Sequence, residues 1–303
     1  MSQTQAFSDD FFSVMLPEML LFVGLIALII IPNLGKGTFR IPGTQIRLPW
    51  LLGGQRFALT SNPRLPAWIA TITLAGAFAA VADSLNGGVD ALTVVSSSTD
   101  SAKELLEING FSRVFELIFF GALALASFSS MNRLNVEGTG GKLSEDQLYN
   151  NRRQADFYIL MLTCGLGMSV VALAQDLFVL FIGLELASFS TYVLVAFMKE
   201  SKAGSEAGMK YFIVGSVASG VGLYGLSMLY LWAGSLQFSV LAEAFAVSGT
   251  EALPLIGIGF VLVGFGFKVS AAPFHFAAPD AYAGASSPVA GVLATASKAM
   301  GMV

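Results

Sequence analysis

The sequence has few charged residues, one cysteine and one histidine, and each shortage excludes a class of function. Charged residues make up 12% of the 303 residues and apolar residues 55%, whereas a soluble domain carries about 25% charged residues. The single Cys164 permits no disulfide within the chain, and His275 has no second histidine with which to bind a metal. The composition therefore predicts a membrane protein without a metal centre of its own.

Motifs for nucleotide binding and secretion are also missing. The chain has no phosphate-binding loop of the GxxxxGK type, and the glycines of GIGFVLVGFGF follow no soluble strand, so they predict contacts between helices. The first residues, MSQTQAFSDDFF, include no basic residue, whereas a cleaved signal peptide begins with positive charge. We therefore expect an exposed tail followed by membrane helices.

Long apolar segments fill most of the chain, and eight of them have the length and composition of membrane-spanning helices. The predicted helices lie at about 14–32, 67–83, 112–131, 157–174, 177–197, 207–233, 252–270 and 288–303, and a broken continuation of the seventh reaches about 283. The last segment rises only about 24 Å, less than the roughly 30 Å of the hydrocarbon core. The sequence predicts an all-α polytopic membrane protein that is truncated in its eighth helix.

Basic residues in the loops have a strong bias to one side. The first, third and fifth loops carry eleven of them, and the opposite loops carry only Lys103. Because Lys and Arg accumulate in cytoplasmic loops, we predict that the odd-numbered loops are cytoplasmic and that the N-terminus lies outside. The eleven residues are Lys36, Arg40, Arg47, Arg56, Arg64, Arg133, Lys142, Arg152, Arg153, Lys199 and Lys202.

The stretch GFGFKVSAAPFHFAAPD, residues 264–280, places a charge and two prolines inside an apolar run. An ammonium group such as that of Lys268 costs about 3 kcal/mol at membrane depth. Pro273 and Pro279 each remove a backbone donor and clash with the preceding turn, so the helix is expected to unwind or kink near residues 271–272. In transporters such breaks mark the ion site.

Glu185 and Lys298 are the other charges expected at membrane depth. Glu185 lies near the middle of the fifth predicted helix, and Ser188 and Tyr192 at i+3 and i+7 continue a polar stripe on its face. We predict an ion pair between Glu185 and Lys268, because each is costly alone, with Lys268 passing its proton toward Lys298. The alternatives are a neutral Glu185 bonded to a neighbouring hydroxyl and an ion pair with a purely structural role.

Two further residues are candidates for proton transfer, each with a simple structural alternative. Lys210 lies in the first turns of the sixth predicted helix, from which its side chain is able to reach the cytoplasmic surface. His275 carries protons near neutral pH and is predicted either to relay them to the cytoplasmic side or to satisfy carbonyl groups freed beside Pro273.

The remaining charged groups in or beside helices are predicted to be structural. Arg113 and Glu116, spaced i and i+3 at the outer end of the third helix, are expected to form an interfacial pair. Asp280 is expected to serve in a turn or a cap, and Glu18 suits the dipole at the start of the first helix.

Three segments of the chain carry a resemblance to a known family. They are FKVSAAPFHFAAPDAYAGASSPVAGVLATASK, FIGLELASFSTYVLVAFMK and SEAGMKYFIVGSVASGVGLYGLSMLY. They resemble the proton-pumping membrane subunits of NADH:quinone oxidoreductase, respiratory complex I, and most closely subunit N. The resemblance covers residues 155–303, and it extends over the first three helices by hydropathy and the LPEML segment.

The resemblance implies a role for four charged residues. Glu185 matches the fifth-helix glutamate of the family, Lys210 the sixth-helix lysine, Lys268 the lysine at the broken seventh helix and Lys298 the eighth-helix lysine. The chain departs from the family at Ala277, where a Trp is usual. It also departs in length, because full-length members have about fourteen helices in two inverted repeats.

The resemblance further implies proton translocation driven by quinone reduction elsewhere in a complex. NADH, flavin, iron–sulfur clusters and quinone would then belong to other subunits, with no cofactor in this chain. The implied partners are other membrane subunits, the lipid bilayer and protons, without nucleic acid. The implied division is an N-terminal three-helix segment at 1–131, a cytoplasmic loop at 132–156 and an antiporter-like repeat at 157–303, in a bacterial plasma membrane.

Other functions remain open at this point. One is a subunit of a multi-subunit cation/proton antiporter or of a membrane-bound hydrogenase, whose core helices are similar. Another is a scaffold that anchors partner subunits without transport. A scaffold does not need three charges at membrane depth, which favours transport.

Overall fold

The computed structural model describes residues 14–31, 38–40, 47–49, 64–87, 92–98, 101–131, 145–198, 201–248 and 250–303. The predicted polytopic all-helical membrane fold with a broken seventh helix is confirmed. The helices are α1 (Leu16–Ile30), α2 (Leu65–Gly87), α3 (Gly110–Ser130), α4 (Glu145–Leu173), α5 (Leu177–Val195), α6 (Lys202–Ala233), α7 (Phe238–Ser248), α8 (Ala252–Val269), α9 (Ala277–Gly284), α10 (Ser287–Ala294) and α11 (Ala296–Met300). The strands are β1 (Thr38–Arg40), β2 (Arg47–Pro49), β3 (Leu92–Ser98) and β4 (Ser101–Ile108).

Among the described residues, six helices are long and apolar enough to cross a membrane, and they correspond to the second to seventh predicted spans. They are α2, α3, residues 153–173 of α4, α5, α6 and α8. The first predicted span is the 15-residue apolar helix α1. α4 begins at Glu145 rather than near 157, so part of the predicted third loop is helical.

The eighth predicted span is divided into two short helices at Thr295. The hydroxyl of Thr295 donates to the carbonyl oxygen of Gly291 at 2.7 Å, one turn earlier. Such a bond from a side chain to its own helix competes with the regular ladder and bends the helix. The break places α11, which carries Lys298, at its own angle beside α8.

Several helix ends are fixed by local sequence. The Asn109 side chain accepts from the backbone N–H of Ser112, whose hydroxyl in turn accepts from the N–H of Asn109, and this capping box starts α3. Asp176 accepts from two backbone N–H groups at the start of α5. Gly234 ends α6 in the left-handed region, with φ of 73°.

Three elements were not anticipated from the hydropathy pattern. The sixth predicted loop contains α7, whose sequence FSVLAEAFAVS is rich in the strong helix formers Ala, Leu and Glu. Strands β1 and β2, and strands β3 and β4, form two antiparallel hairpins in the first and second loops. At 11 residues α7 rises about 16 Å and is too short to span the membrane.

Glycines bring α6 and α8 into close contact. The Cα atom of Gly264 lies 3.5 Å from the position that a Cβ atom would take at Gly222. A Cβ atom at Gly225 would lie 2.6 Å from the carbonyl oxygen of Gly257, which leaves no room for a side chain. The prediction that the glycines of GIGFVLVGFGF serve helix packing is therefore confirmed at Gly257 and Gly264.

The predicted helix break lies between α8 and α9. α8 ends at Val269, Ser270 adopts the left-handed region with φ of 58°, and the helix resumes at Ala277. The N–H of Ala271 still donates to the carbonyl oxygen of Gly266, at 2.8 Å. α9 then packs on α6, while α10 and α11 pack on α3. This arrangement surrounds the end of α8 with protein.

Candidate functional site

The ammonium group of Lys268, in the last turn of α8, is held by three oxygen atoms on one face of α5. Its side chain is 4% exposed. The Nζ atom donates to Ser188 Oγ at 2.6 Å and to Tyr192 Oη at 3.0 Å, and it lies 3.2 Å from Glu185 Oε1. The ion pair and the polar stripe predicted from the sequence are therefore both present, and they meet at one buried cation.

The carboxylate of Glu185 is shared between two helices. Its Oε1 atom faces Lys268 of α8 and also accepts a hydrogen bond from Ser219 Oγ of α6 at 2.6 Å. The side chain is 15% exposed. Ser219 can donate to the carboxylate even when Lys268 does not, so Glu185 keeps a hydrogen-bond donor in either case. A buried carboxylate without a donor would be destabilising.

The packing around the pair leaves little free space. Gly215 of α6 accommodates the Tyr192 side chain, because a Cβ atom there would overlap the Tyr192 hydroxyl and lie 2.5 Å from its Cζ atom. A cavity of about 10 Å³ adjoins Glu185, Ser219 and Lys268. That volume is about enough for one water molecule. The site thus combines fixed hydrogen bonds with a cavity about the size of one water molecule.

Lys298 reaches the end of the same helix from α11. Its Nζ atom donates to the backbone carbonyl oxygen of Lys268 at 3.1 Å and also to Ser270 Oγ. The last carbonyl groups of a helix lack partners within the helix and favour a cation. The break after Val269 exposes such a carbonyl group, so the structure brings Lys268 and Lys298 together through the backbone of Lys268.

Lys210 lies at the surface, away from this buried pair. Its Nζ atom lies 2.8 Å from Glu206 Oε1 and 2.9 Å from Asp280 Oδ2, and all three side chains are at least half exposed. This agrees with the predicted reach of Lys210 to the surface. The prediction of a cap role for Asp280 is wrong, because its carboxylate links the first turn of α9 to α6 instead.

His275 occupies the turn between α8 and α9, and its side chain is exposed. Among the residues that the structure describes, its imidazole makes no hydrogen bond or ion pair, while its carbonyl oxygen accepts from the N–H of Ala278 at 3.0 Å. The alternative in which His275 satisfies carbonyl groups freed beside Pro273 is therefore wrong. Its role as a relay stays a prediction.

A second set of buried charges, not expected from the sequence, lies where α1 and α3 begin. Arg113 and Glu116 form the predicted i, i+3 pair, at 2.5 Å, but both are fully buried rather than interfacial. Glu18 joins them, since Arg113 Nη1 lies 3.0 Å from Glu18 Oε1, and Ser169 donates to Glu116. We name Glu18, Arg113, Glu116 and Ser169 the N-terminal charge cluster. Its burial depends on helix packing, which the spacing alone does not reveal.

Residues 174–303 match the family model described as NADH:quinone oxidoreductase/Mrp antiporter, TM. This region contains the buried pair, its hydroxyl partners and Lys298. The resemblance deduced from the sequence is thereby confirmed for this part of the chain.

Several curated proteins similar to this chain are named NADH-quinone oxidoreductase subunit N. The chain is 40% identical over 188 residues to NADH-quinone oxidoreductase subunit N of Sphingopyxis alaskensis, covering 61% of this chain and 39% of that protein. It is 43% identical over 178 residues to the subunit N of Halorhodospira halophila, covering 59% and 36%. The chain thus spans less than half the length of these relatives.

Solved membrane complexes contain chains of the same fold. Respiratory complex I from Thermus thermophilus with bound aureothin includes a chain that matches with a TM-score of 0.64 and 24% identity, over 94% of this chain and 51% of that one. The membrane-bound sulfane sulfur reductase, an archaeal respiratory membrane complex, matches with a TM-score of 0.68 and 19% identity, over 95% and 50%. These likenesses establish the fold.

Proposed function

We propose that this chain, whose residues 174–303 match the NADH:quinone oxidoreductase/Mrp antiporter family model, translocates protons as a membrane subunit of an NADH-quinone oxidoreductase. The observation that carries the proposal is the buried ammonium of Lys268, held by Glu185 at the end of a broken membrane helix. A charge buried at that depth is expensive, and a break in the helix beside it is typical of ion pathways.

The pair has the properties of a proton switch. At 3.2 Å and an effective dielectric constant of about 20, the attraction between the two charges is of the order of 5 kcal/mol. Doubling the distance halves this attraction, which changes the equilibrium between charged and neutral lysine by roughly 70-fold. Ser219 stabilises the carboxylate when it turns away from Lys268, so the movement does not leave Glu185 without a donor.

Lys298 is proposed as the next proton acceptor. It already contacts the backbone of Lys268, and Ser270 lies between the two residues with its hydroxyl on the Lys298 ammonium. Lysine suits both positions, because burial and neighbouring charges alter its proton affinity over a wide range. Lys210 and His275, both exposed, are proposed to exchange protons with the cytoplasmic side rather than to act within the buried step.

The wider assignment follows the same family relationship. We propose that NADH, flavin, iron–sulfur clusters and quinone act in other subunits, with the other membrane subunits as partners. We further propose residues 157–303 as the antiporter-like repeat, 1–131 as an N-terminal segment and 132–156 as a cytoplasmic connection. The location is a bacterial plasma membrane with the N-terminus outside, as the loop charges indicate.

Replacement of Glu185 by Gln tests the proposal. Gln keeps the shape and the bond to Ser219 but removes the charge that holds Lys268, so proton translocation coupled to quinone reduction should fall at least tenfold in the assembled complex reconstituted in vesicles. Glu243→Gln, at an exposed glutamate of α7, is the matched control and should leave translocation unchanged. A scaffold would show normal translocation in both variants once assembled, and that result would contradict the proposal.

A further inference from the structure

The N-terminal charge cluster lies outside the matched region, at the end of the bundle where α1 and α3 begin and α4 ends. Arg113 Nη1 donates to both carboxyl groups, at 3.0 Å to Glu18 Oε1 and at 2.5 Å to Glu116 Oε2. Its Nη2 atom donates to the carbonyl oxygen of Val14. Ser169 Oγ donates to Glu116 Oε1 at 2.5 Å. The guanidinium group thus joins the start of α1 to α3, and Ser169 links α4 to the same cluster.

The charges of this cluster do not balance. Two carboxyl groups share a single guanidinium, so the cluster carries a formal charge of −1 if both are ionised. The side chains of Arg113 and Glu116 are 0% exposed and that of Glu18 is 12% exposed. An uncompensated carboxylate in such surroundings takes up a proton rather than remain charged.

Two buried atoms of the cluster lack a hydrogen-bond partner. Both oxygen atoms of Glu116 have donors, but Glu18 Oε2 accepts no hydrogen bond, and Arg113 Nε donates none. Glu18 Oε2 is an acceptor without a donor, and Arg113 Nε is a donor without an acceptor. Buried polar atoms are normally hydrogen-bonded. One proton held between the two carboxyl groups would give Glu18 Oε2 a donor, and a water molecule accepting from Arg113 Nε would satisfy the second atom.

Among the side chains that the structure describes, no neighbouring titratable group supplies the missing positive charge. Asp83, on α2, is exposed and makes no hydrogen bond or ion pair with any residue that the structure describes. Glu107, on β4, accepts from Gln175 Nε2 at 2.7 Å. Lys298, on α11, is directed to the end of α8. The cluster therefore balances its charge from within.

We propose that the N-terminal charge cluster binds one exchangeable proton, shared between the carboxyl groups of Glu18 and Glu116, and forms a proton-binding site separate from Lys268. A metal cation is the competing ligand for a negative pocket, but it requires several oxygen ligands. Only one carboxyl oxygen is free here, and the other orphan atom is an N–H donor, which repels a cation. The observations thus favour a proton. The inference does not depend on the function proposed for residues 174–303.

Infrared spectroscopy of the full chain in lipid nanodiscs tests the proposal. At neutral pH the wild type should show the C=O stretch of a protonated carboxyl group, and the band should shift in D₂O because the proton exchanges. Glu18→Gln and Glu116→Gln should each remove this band, since the remaining carboxylate and Arg113 then balance without a proton. Circular dichroism checks that each variant retains its helices.

Asp83→Asn is the control, because Asp83 is an exposed carboxyl group in the last turns of α2, outside the cluster. It should leave the band in place. A band that survives in both Glu18→Gln and Glu116→Gln, or a wild type without one, would overturn the proposal. Disappearance of the band on replacing choline chloride by sodium chloride would also overturn it, since sodium would then occupy the site.

Discussion

Substitution of Gly215 by Ala should disturb the buried lysine without touching any charged residue. Gly215 faces Tyr192, and an added methyl group would overlap the Tyr192 hydroxyl and lie 2.5 Å from its Cζ atom. The same methyl group would lie 3.0 Å from Phe267 Cε1, so the tyrosine cannot escape toward that ring. The ring of Tyr192 must therefore withdraw by about 1 Å, since carbon atoms pack about 3.5–4.0 Å apart.

This withdrawal has two costs of known size. Overpacking a tight site costs about 1–3 kcal/mol, which Ala offsets by about 1 kcal/mol through its better helix propensity. The bond from Lys268 to Tyr192 Oη, at 3.0 Å, is also lost. A hydrogen bond to a charged group contributes about 1.5–3 kcal/mol, so its loss should disfavour the charged form of Lys268 by about tenfold or more and thereby reduce coupled translocation.

Proton translocation by the assembled complex in vesicles, together with thermal unfolding, measures both effects. Gly220→Ala is the control, because Gly220 lies on the same helix with nothing within 4 Å of an added Cβ atom, and it should gain stability with normal translocation. Tyr192→Phe removes the hydroxyl without a clash and should reproduce the slower translocation with little loss of stability. Normal translocation in both Gly215→Ala and Tyr192→Phe would refute the role of the tyrosine.

Two further predictions address packing and orientation. Gly225→Ala should destabilise the protein by about 1–3 kcal/mol, because a Cβ atom would lie 2.6 Å from the carbonyl oxygen of Gly257 at the crossing of α6 and α8. Gly259→Ala, which has open space around the added methyl group, is the control in thermal unfolding. Equal stability of the two variants would contradict the packing argument. Arg40 and Asp100, whose side chains lie outside the described residues, are suitable positions for single cysteines that report orientation. A cysteine at position 40 should react with an impermeant reagent from the cytoplasmic side, and a cysteine at position 100 from the opposite side. Labelling of position 40 from outside would exclude the predicted orientation.

The ion pair between Glu185 and Lys268 could be predicted because the sequence alone shows a charged residue inside an apolar run, where burial of the charge is costly. A charge inside an apolar run demands a partner, and Glu185 and Lys268 were the deepest charges of opposite sign. The i, i+3, i+7 spacing also placed Ser188 and Tyr192 on the face that Lys268 contacts. Ser219, by contrast, is one of many serines in apolar helices, and nothing in its spacing indicated a bond to Glu185.

Other parts of the fold depend on contacts that no local pattern encodes. The burial of Arg113 and Glu116 requires Glu18 and Ser169 to approach from two other helices. The division of the last span at Thr295 depends on a side-chain bond that competes with the helix, whereas its apolar sequence favoured one helix. The Ala-rich sequence of α7 favours a helix, but at 11 residues it is too short to be predicted as a membrane-spanning helix.

The measurement that tests the central claim most directly is the number of protons translocated per electron pair in Lys268→Arg. Arginine fills a similar space and retains the charge that pairs with Glu185, but it does not release its proton at accessible pH. We predict that the variant assembles and loses coupled translocation, and that Lys268→Ala does no better. A normal ratio in Lys268→Arg would contradict the account, because Lys268 would then be a structural counter-charge rather than a proton carrier.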